Sequence, residues 1–259
     1  MDLGIAGRKA IVCASSRGLG KACAFALAQA GVEVVINGRD AKTVEATAAE
    51  IAKATGAKTH AVVADVATPE GQKALFAACP SPDILVNNNG GPPPRDFREL
   101  SRQMMLDGVV ANMVVAIELI QKVIDPMSAR GFGRIVNITS SSVKAPLAGL
   151  DLSSGARAGL TAFLAGVART VADKNVTINS ILPGAFDTDR LKGILSKASA
   201  ASGKTVDEAA QARMNTIPAR RFGRPEEFGA ACAFLCSAQA GYITGQNLLI
   251  DGGTIPTAF

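Results

Sequence analysis

The chain has 259 residues, of which 48% are hydrophobic and only 4% aromatic, with no tryptophan; 27 Lys and Arg stand against 22 Asp and Glu, for a formal net charge of +5. That length suits one large domain with an aliphatic core, and the basic residues are spread out rather than gathered in an aromatic-interleaved stripe, which argues against a nucleic-acid partner. With a single histidine, His60, a Ser-His-Asp triad or a histidine-rich zinc site has almost nothing to draw on, so no metal is expected.

Short β-branched runs alternate with alanine-rich helical stretches along the whole chain. "KAIVCAS" (9–15) reads as a first strand, followed by a helix over about 19–30. "VEVVIN" (32–37) and a helix over 41–55 come next, then "KTHAVVAD" (58–65) with a helix over 69–78. "DILVNNN" (83–89) is the fourth strand, and a long helix covers 101–129. "GRIVNITS" (133–140) is followed by a helix over 153–173, and "VTINSILPG" (176–184) is the sixth strand. A helix over 225–237 leads to the last strand, "QNLLIDGG" (246–253).

Strands joined by helix-length connections imply βαβ units with right-handed crossovers. The expectation is an α/β fold: a Rossmann-like, doubly wound, parallel seven-stranded sheet with helices on both faces, as a single domain over 1–259. The polar, alanine-rich segment 184–218 follows a strand's C-terminal end, where it is placed to cover a ligand crevice as a lid; a static helical hairpin is the other reading. No run of about 18 uncharged apolar residues predicts a membrane span, and no apolar leader points to export. Cys232 and Cys236, one helical turn apart, read as small residues on a buried helix face, and five scattered cysteines suit a reducing cytoplasm. The stretch "DGVVANMVVAIELIQKVI" (107–124) is apolar on nearly every face, which predicts a homo-oligomer.

The first strand runs into "CASSRGLGKACAFALA" (13–28), where Gly18 and Gly20 sit at a tight turn opening a helix. Such a turn lets backbone N–H groups face a pyrophosphate. From here the chain resembles the short-chain dehydrogenase/reductase family, whose turn reads T-G-x-x-x-G-x-G. Cys13 and Ala14 occupy the first two positions, and the extra methyl of Ala14 is tolerable if its φ stays below zero. The resemblance continues through "ADV" (64–66), "NNNG" (87–90), Asn112, "PGAFDT" (183–188) and the C-terminal run from "RFGRPEE" to "LLIDGG". It implies cofactor contacts from Ser15, Ser16, Arg17, Gly18, Leu19 and Gly20, from Asp65 and Val66, and from Asn87, Phe186 and Thr188.

NAD-binding members place a carboxylate at the end of the second strand, but here Gly38 and Arg39 follow "VVIN". Arg39 can hold a ribose 2′-phosphate, and Arg17 adds a second positive charge, so NADP(H) is favoured over NAD(H).

The family's catalytic set is Asn, Ser, Tyr and Lys, with the last two spaced Y-x-x-x-K. Here the set reads Asn112, Ser140, Ser153 and Arg157, which resembles a divergent β-ketoacyl-reductase-like subgroup lacking that pair. Arg157 can fix the nicotinamide ribose and stabilise a developing alkoxide, but it is a poor acid. Loss of a positioned acid slows catalysis by about 10²–10⁴ without forbidding it. Lys144 and Asp151 are other candidate proton sources, and Tyr242, the only tyrosine, reads as packing. The leading expectation is an NADP(H)-dependent oxidoreductase acting on a small carbonyl or hydroxyl compound, of 3-oxoacyl type among others, as a homodimer or homotetramer. Non-redox lyase or isomerase chemistry and a non-catalytic scaffold are the alternatives. Arg95 or Arg190 could meet an acidic substrate.

Overall fold

The computed structural model describes residues 2–256. Seven parallel strands form one sheet in the order β3-β2-β1-β4-β5-β6-β7. They are β1 Lys9–Val12, β2 Glu33–Gly38, β3 Thr59–Val63, β4 Ile84–Asn87, β5 Gly133–Ile138, β6 Val176–Pro183 and β7 Asn247–Ile250. Except for β2, which is as long as its run and ends one residue later, each strand is shorter than the apolar run that predicts it.

Residue alternation along β1 sorts the core into two halves. Ala10 and Val12 face one side, with Leu27 of α1 (Gly18–Gln29), Ile51 of α2 (Ala41–Thr55) and Phe228 of α9 (Pro225–Leu235). Ile11 and Cys13 face the other, with Leu75 of α3 (Pro69–Ala78), Leu119 of α5 (Val115–Ala129) and Leu164 of α6 (Asp151–Val171). Coverage on both faces explains why β1, β2 and β4 read as near-continuous apolar runs. All five cysteines are buried; Cys23, Cys232 and Cys236 meet in the seam between α1 and α9, as the packing reading expects. His60 sits on the edge strand β3 and pairs with Glu33 at 2.6 Å.

The long fourth helix is not one regular helix. After α4 (Arg102–Val109) the backbone widens into a π-type turn, Val110–Val114, before α5 continues. The stretch Arg102–Ala129 is long and apolar enough to cross a membrane by length and composition, yet it turns Leu119, Val123 and Met127 into the core. Segment 184–218 forms two helices, α7 (Asp189–Ser202) and α8 (Val206–Asn215), so it has the architecture of a helical hairpin. Tyr242 departs from expectation: its side chain is fully exposed and packs against nothing in the protomer.

Candidate active site

Strand order reverses between β1 and β4, which opens a crevice at the carboxyl ends of those strands. The turn after β1 enters it. Ser15 is fully buried: its hydroxyl donates to the Val12 carbonyl at 2.6 Å and accepts from Asn37 N–H at 2.9 Å. Its side chain is thus engaged within the turn, and any cofactor contact from it is left to the backbone. Asn37, which the sequence reading passed over, also accepts from Ala14 N–H at 3.0 Å and donates to the carbonyls of Val62 and Ala64. The Asn88 amide closes the other side, donating to the Ala14 carbonyl at 3.1 Å.

This clamp corrects the expectation for Ala14. Its φ is +44°, in the left-handed region, so the alanine stands in a glycine-like conformation rather than keeping φ negative. Polar clamps on its N–H and C=O hold a conformation that costs about 1–2 kcal/mol for an L-residue. Gly20 is required for a different reason: a Cβ there would lie 2.3 Å from the Ala14 carbonyl oxygen. Gly18, at φ +56°, faces Thr188 across the crevice.

The residues fit a dinucleotide. The N-terminal turn of α1 has no side-chain cap and no acidic residue, so its N–H groups and positive dipole end are open to an anion. Around the end of β2, a Cβ on Gly38 would collide with the Ser16 hydroxyl, which therefore overlies that strand end. Arg17 donates to the Thr43 hydroxyl at 2.9 Å, and Arg39 reaches Asp65 at 3.8 Å with its side chain mostly in solvent. Asp65 itself accepts from Ala67 N–H, while Val66 and Leu19 pack toward the core. Phe186 is also a core residue, its ring buried edge-on against Phe228 at 5.3 Å.

Below the cofactor cleft the predicted catalytic residues converge unequally. Asn112 lies in the π-type turn, its amide donating to the Gly108 carbonyl at 3.2 Å; such a turn re-aims one side chain out of helical register. Asn112 and Arg157 line one hollow, together with Asn87, Asn89 and Asn137. The side-chain carbonyls of Asn112 and Asn87 are buried there without a hydrogen-bond donor among the described residues. Asn87 donates to Asn137, and Asn137 to the Asn179 carbonyl, an amide ladder across β4, β5 and β6. An asparagine within each of three apolar strands, Asn87, Asn137 and Asn179, was its signal in the sequence.

Arg157 is buried, yet it has no carboxylate partner among the described residues. Its Nε donates to Ser153 Oγ at 3.2 Å, Nη1 to the Ile138 carbonyl at 2.8 Å and Nη2 to the Asn89 carbonyl at 3.4 Å. Burial, with repulsion from Arg190 added, pulls its pKa down to about 10, so the guanidinium remains charged at neutral pH. Ser153, also buried, lines a neighbouring hollow beside Arg95 and the proline loop. Ser140 follows β5 and caps the short turn Ser141–Val143, accepting from Ser142 N–H at 3.1 Å, which leaves its hydroxyl proton free. Lys144 and Asp151 are both exposed, and Tyr242 stands in solvent.

The sheet order, the glycine turn and the open helix terminus define the class: a dinucleotide-binding, doubly wound α/β protein. The chain belongs to the short-chain dehydrogenase/reductase family. A family model described as enoyl-(acyl carrier protein) reductase matches residues 13–254. A 3-oxoacyl-[acyl-carrier-protein] reductase of Aquifex aeolicus is 33% identical over 257 residues, covering 98% of this chain and 99% of its own. An NADPH-dependent reductase of Bacillus subtilis is 31% identical, covering 96% and 98%. Among solved structures, L-sorbose reductase from Gluconobacter frateurii, complexed with NADPH and L-sorbose, superposes with a TM-score of 0.94 at 29% identity over 99% of this chain and 100% of that one.

Proposed function

We propose that the protein is an NADP(H)-dependent carbonyl reductase in which Ser153 and Arg157 occupy the places of the family's tyrosine and lysine. The observation that carries this reading is the buried guanidinium of Arg157 hydrogen-bonded to Ser153 Oγ. Arg17 and Arg39 would hold the ribose 2′-phosphate, the α1 N-terminus the pyrophosphate, Asp65 the adenine, and Asn87 and Arg157 the nicotinamide ribose, with Thr188 closing the far wall. NADPH, when bound, supplies hydride to the carbonyl carbon.

The chain's own task is then to hold the carbonyl oxygen and give it a proton. Because Ser153 Oγ already accepts from Arg157, its O–H is free to donate to the substrate oxygen, and Ser140 offers a second donor. The fixed positive charge favours the oxygen as negative charge develops on it, in a site largely closed to water. The proton that passes through Ser153 is replaced from solvent. The substrate is a small ketone or its alcohol, 3-oxoacyl compounds included. Exposed Leu106, Val109, Val110 and Phe163 on α4, the π-type turn and α6 support assembly as a homodimer or homotetramer.

One observation favours a second reading, cofactor binding without hydride transfer: the only tyrosine is fully exposed. NADPH oxidation against a panel of ketones, quinones and β-ketoacyl thioesters separates the two. Turnover faster with NADPH than with NADH is expected; tight NADPH binding with no oxidation of any substrate would overturn the reductase reading.

A further inference from the structure

The proline loop after β4 and the first turn of α7 meet above Ser153, and the charges there are unbalanced. A Cβ built on Gly91 would have as its three nearest neighbours Arg190 Nη2 at 3.5 Å, Ser153 Oγ at 3.5 Å and Arg157 Nη2 at 3.8 Å. Two guanidinium groups and a hydroxyl thus border the bare face of one glycine. Among the described residues no carboxylate comes within 4.0 Å of either guanidinium. Asp189, next to Arg190 in the chain, and Asp151, in the first turn of α6, are exposed and lie beyond 4.0 Å of both, while Asp187 pairs with Lys192 at 3.9 Å and Glu99 with Arg95 at 3.5 Å. The latter pair removes Arg95 as the free cation of this wall and leaves Arg190.

Two like charges that approach each other, one of them buried, are unfavourable unless an anion joins them. The surrounding backbone is stiff, since Gly91 is followed by Pro92, Pro93 and Pro94, whose φ angles are fixed. The Arg190 fork, with the remaining Nη2 proton of Arg157 beside it, matches a planar carboxylate, and the Ser153 hydroxyl next to them is left for the carbonyl oxygen.

Resting on the reductase reading, we infer that the substrate is an oxo acid whose carboxylate is held between Arg190 and Arg157 against Gly91, with its carbonyl oxygen on Ser153. In a 2-oxo or 3-oxo acid the carboxylate and the carbonyl are one or two bonds apart along the carbon chain, close enough for both to engage this one cluster. Neutral ketones of the same shape leave the pair of guanidinium groups uncompensated and bind weakly.

The test is binding rather than turnover. Pyruvate and acetoacetate, each beside its methyl ester, are titrated by calorimetry into the NADP⁺ complex of the full chain. At least one acid is expected to bind about 10-fold or more tighter than its ester, as a charge-assisted site requires. Arg190→Gln should lower that affinity by about 10-fold and leave NADP⁺ binding within about 3-fold. Gly91→Ala places its methyl at ordinary contact distances and so should fold, while filling the cradle and weakening the acid similarly. Equal affinity for acid and ester, no binding of either acid, or a loss of NADP⁺ affinity in Arg190→Gln would overturn the inference, the last by assigning Arg190 to the cofactor phosphates. Acid binding that depends on Arg190 but yields no NADPH oxidation would sustain the carboxylate site and sink the reductase reading. Equal turnover of acid and ester would do the reverse.

Discussion

Arg157 Nε donates to Ser153 Oγ across 3.2 Å, one helical turn apart on α6. This contact orients both groups. The serine lone pair is engaged by the arginine, so its proton is directed elsewhere, and the guanidinium is fixed by two backbone carbonyls, that of Ile138 at the end of β5 and that of Asn89 in the loop after β4.

Arg157→Met should therefore cost more than a single contact. It removes the charge beside the carbonyl oxygen and leaves the Ile138 carbonyl, which faces a buried site, without its donor. A fall in kcat/KM of about 10²–10³ is expected. Arg157→Lys keeps the charge and should recover part of it, because an ammonium reaches fewer of the three acceptors. Steady-state kinetics on the two variants checks the order.

On the proposed reading, cofactor choice rests on Arg17 and Arg39. Replacing either with Ala should weaken NADPH by about 10-fold and leave NADH nearly unchanged, since each supplies a charge-assisted contact to a phosphate that NADH lacks. Fluorescence titration with both nucleotides decides it. Equal losses for the two would place these arginines outside the 2′-phosphate site.

The turn after β1 makes two opposite demands on small residues. Ala14→Gly relieves a left-handed alanine, offset in part by glycine's larger loss of chain entropy. A net gain of up to about 1 kcal/mol is expected, seen as a rise in Tm of about 2–4 °C for a chain of this size. Gly20→Ala drives a methyl into a backbone carbonyl and should abolish NADPH binding or folding. Thermal melts with and without NADPH report both.

Glu227 braces the segment behind the cofactor crevice. It accepts a forked pair of bonds from Arg221 at 2.7 and 2.8 Å and one from Arg224 N–H, and this loop pairs with residues 185–187 through Gly223. The Arg221 guanidinium, helped by the Arg224 N–H, lowers its pKa from 4.5 to about 2. A carboxylate with a depressed folded-state pKa contributes stability above about 4.5 that is lost as pH falls toward 2. Glu227→Gln should thus melt below the wild type at pH 7, with the gap closing between about pH 4.5 and 2. A gap that does not change with pH would contradict the ion-pair account.

Much of this architecture was legible beforehand for a simple reason. A doubly wound sheet demands alternation of buried strands and amphipathic helices, and that period survives in "VEVVIN" or "GRIVNITS" whatever the chemistry of the loops. Positions that answer to tertiary partners were not legible. The positive φ of Ala14 depends on Asn37 and Asn88, which are 23 and 74 residues away. The π-type turn at Asn112 has no breaker residue to announce it, since "GVVANMVV" reads as ordinary helix. Spacing alone paired Ser153 with Arg157, yet the approach of Arg190 needs α7 folded back over the proline loop. Tyr242 lies among residues that pack, such as Ala240 and Ile243, while its own side chain points outward.

The central claim is that the serine–arginine pair does the work of an acid, and Ser153→Ala tests it most directly. The alanine removes the donor and leaves Arg157, the glycine turn and both cofactor arginines in place. Single-turnover NADPH oxidation with the best substrate of the panel should slow by about 10²–10⁴, with the NADPH dissociation constant within about 3-fold of wild type. A rate within about 3-fold of wild type would show that the proton does not pass through Ser153 and would contradict the account.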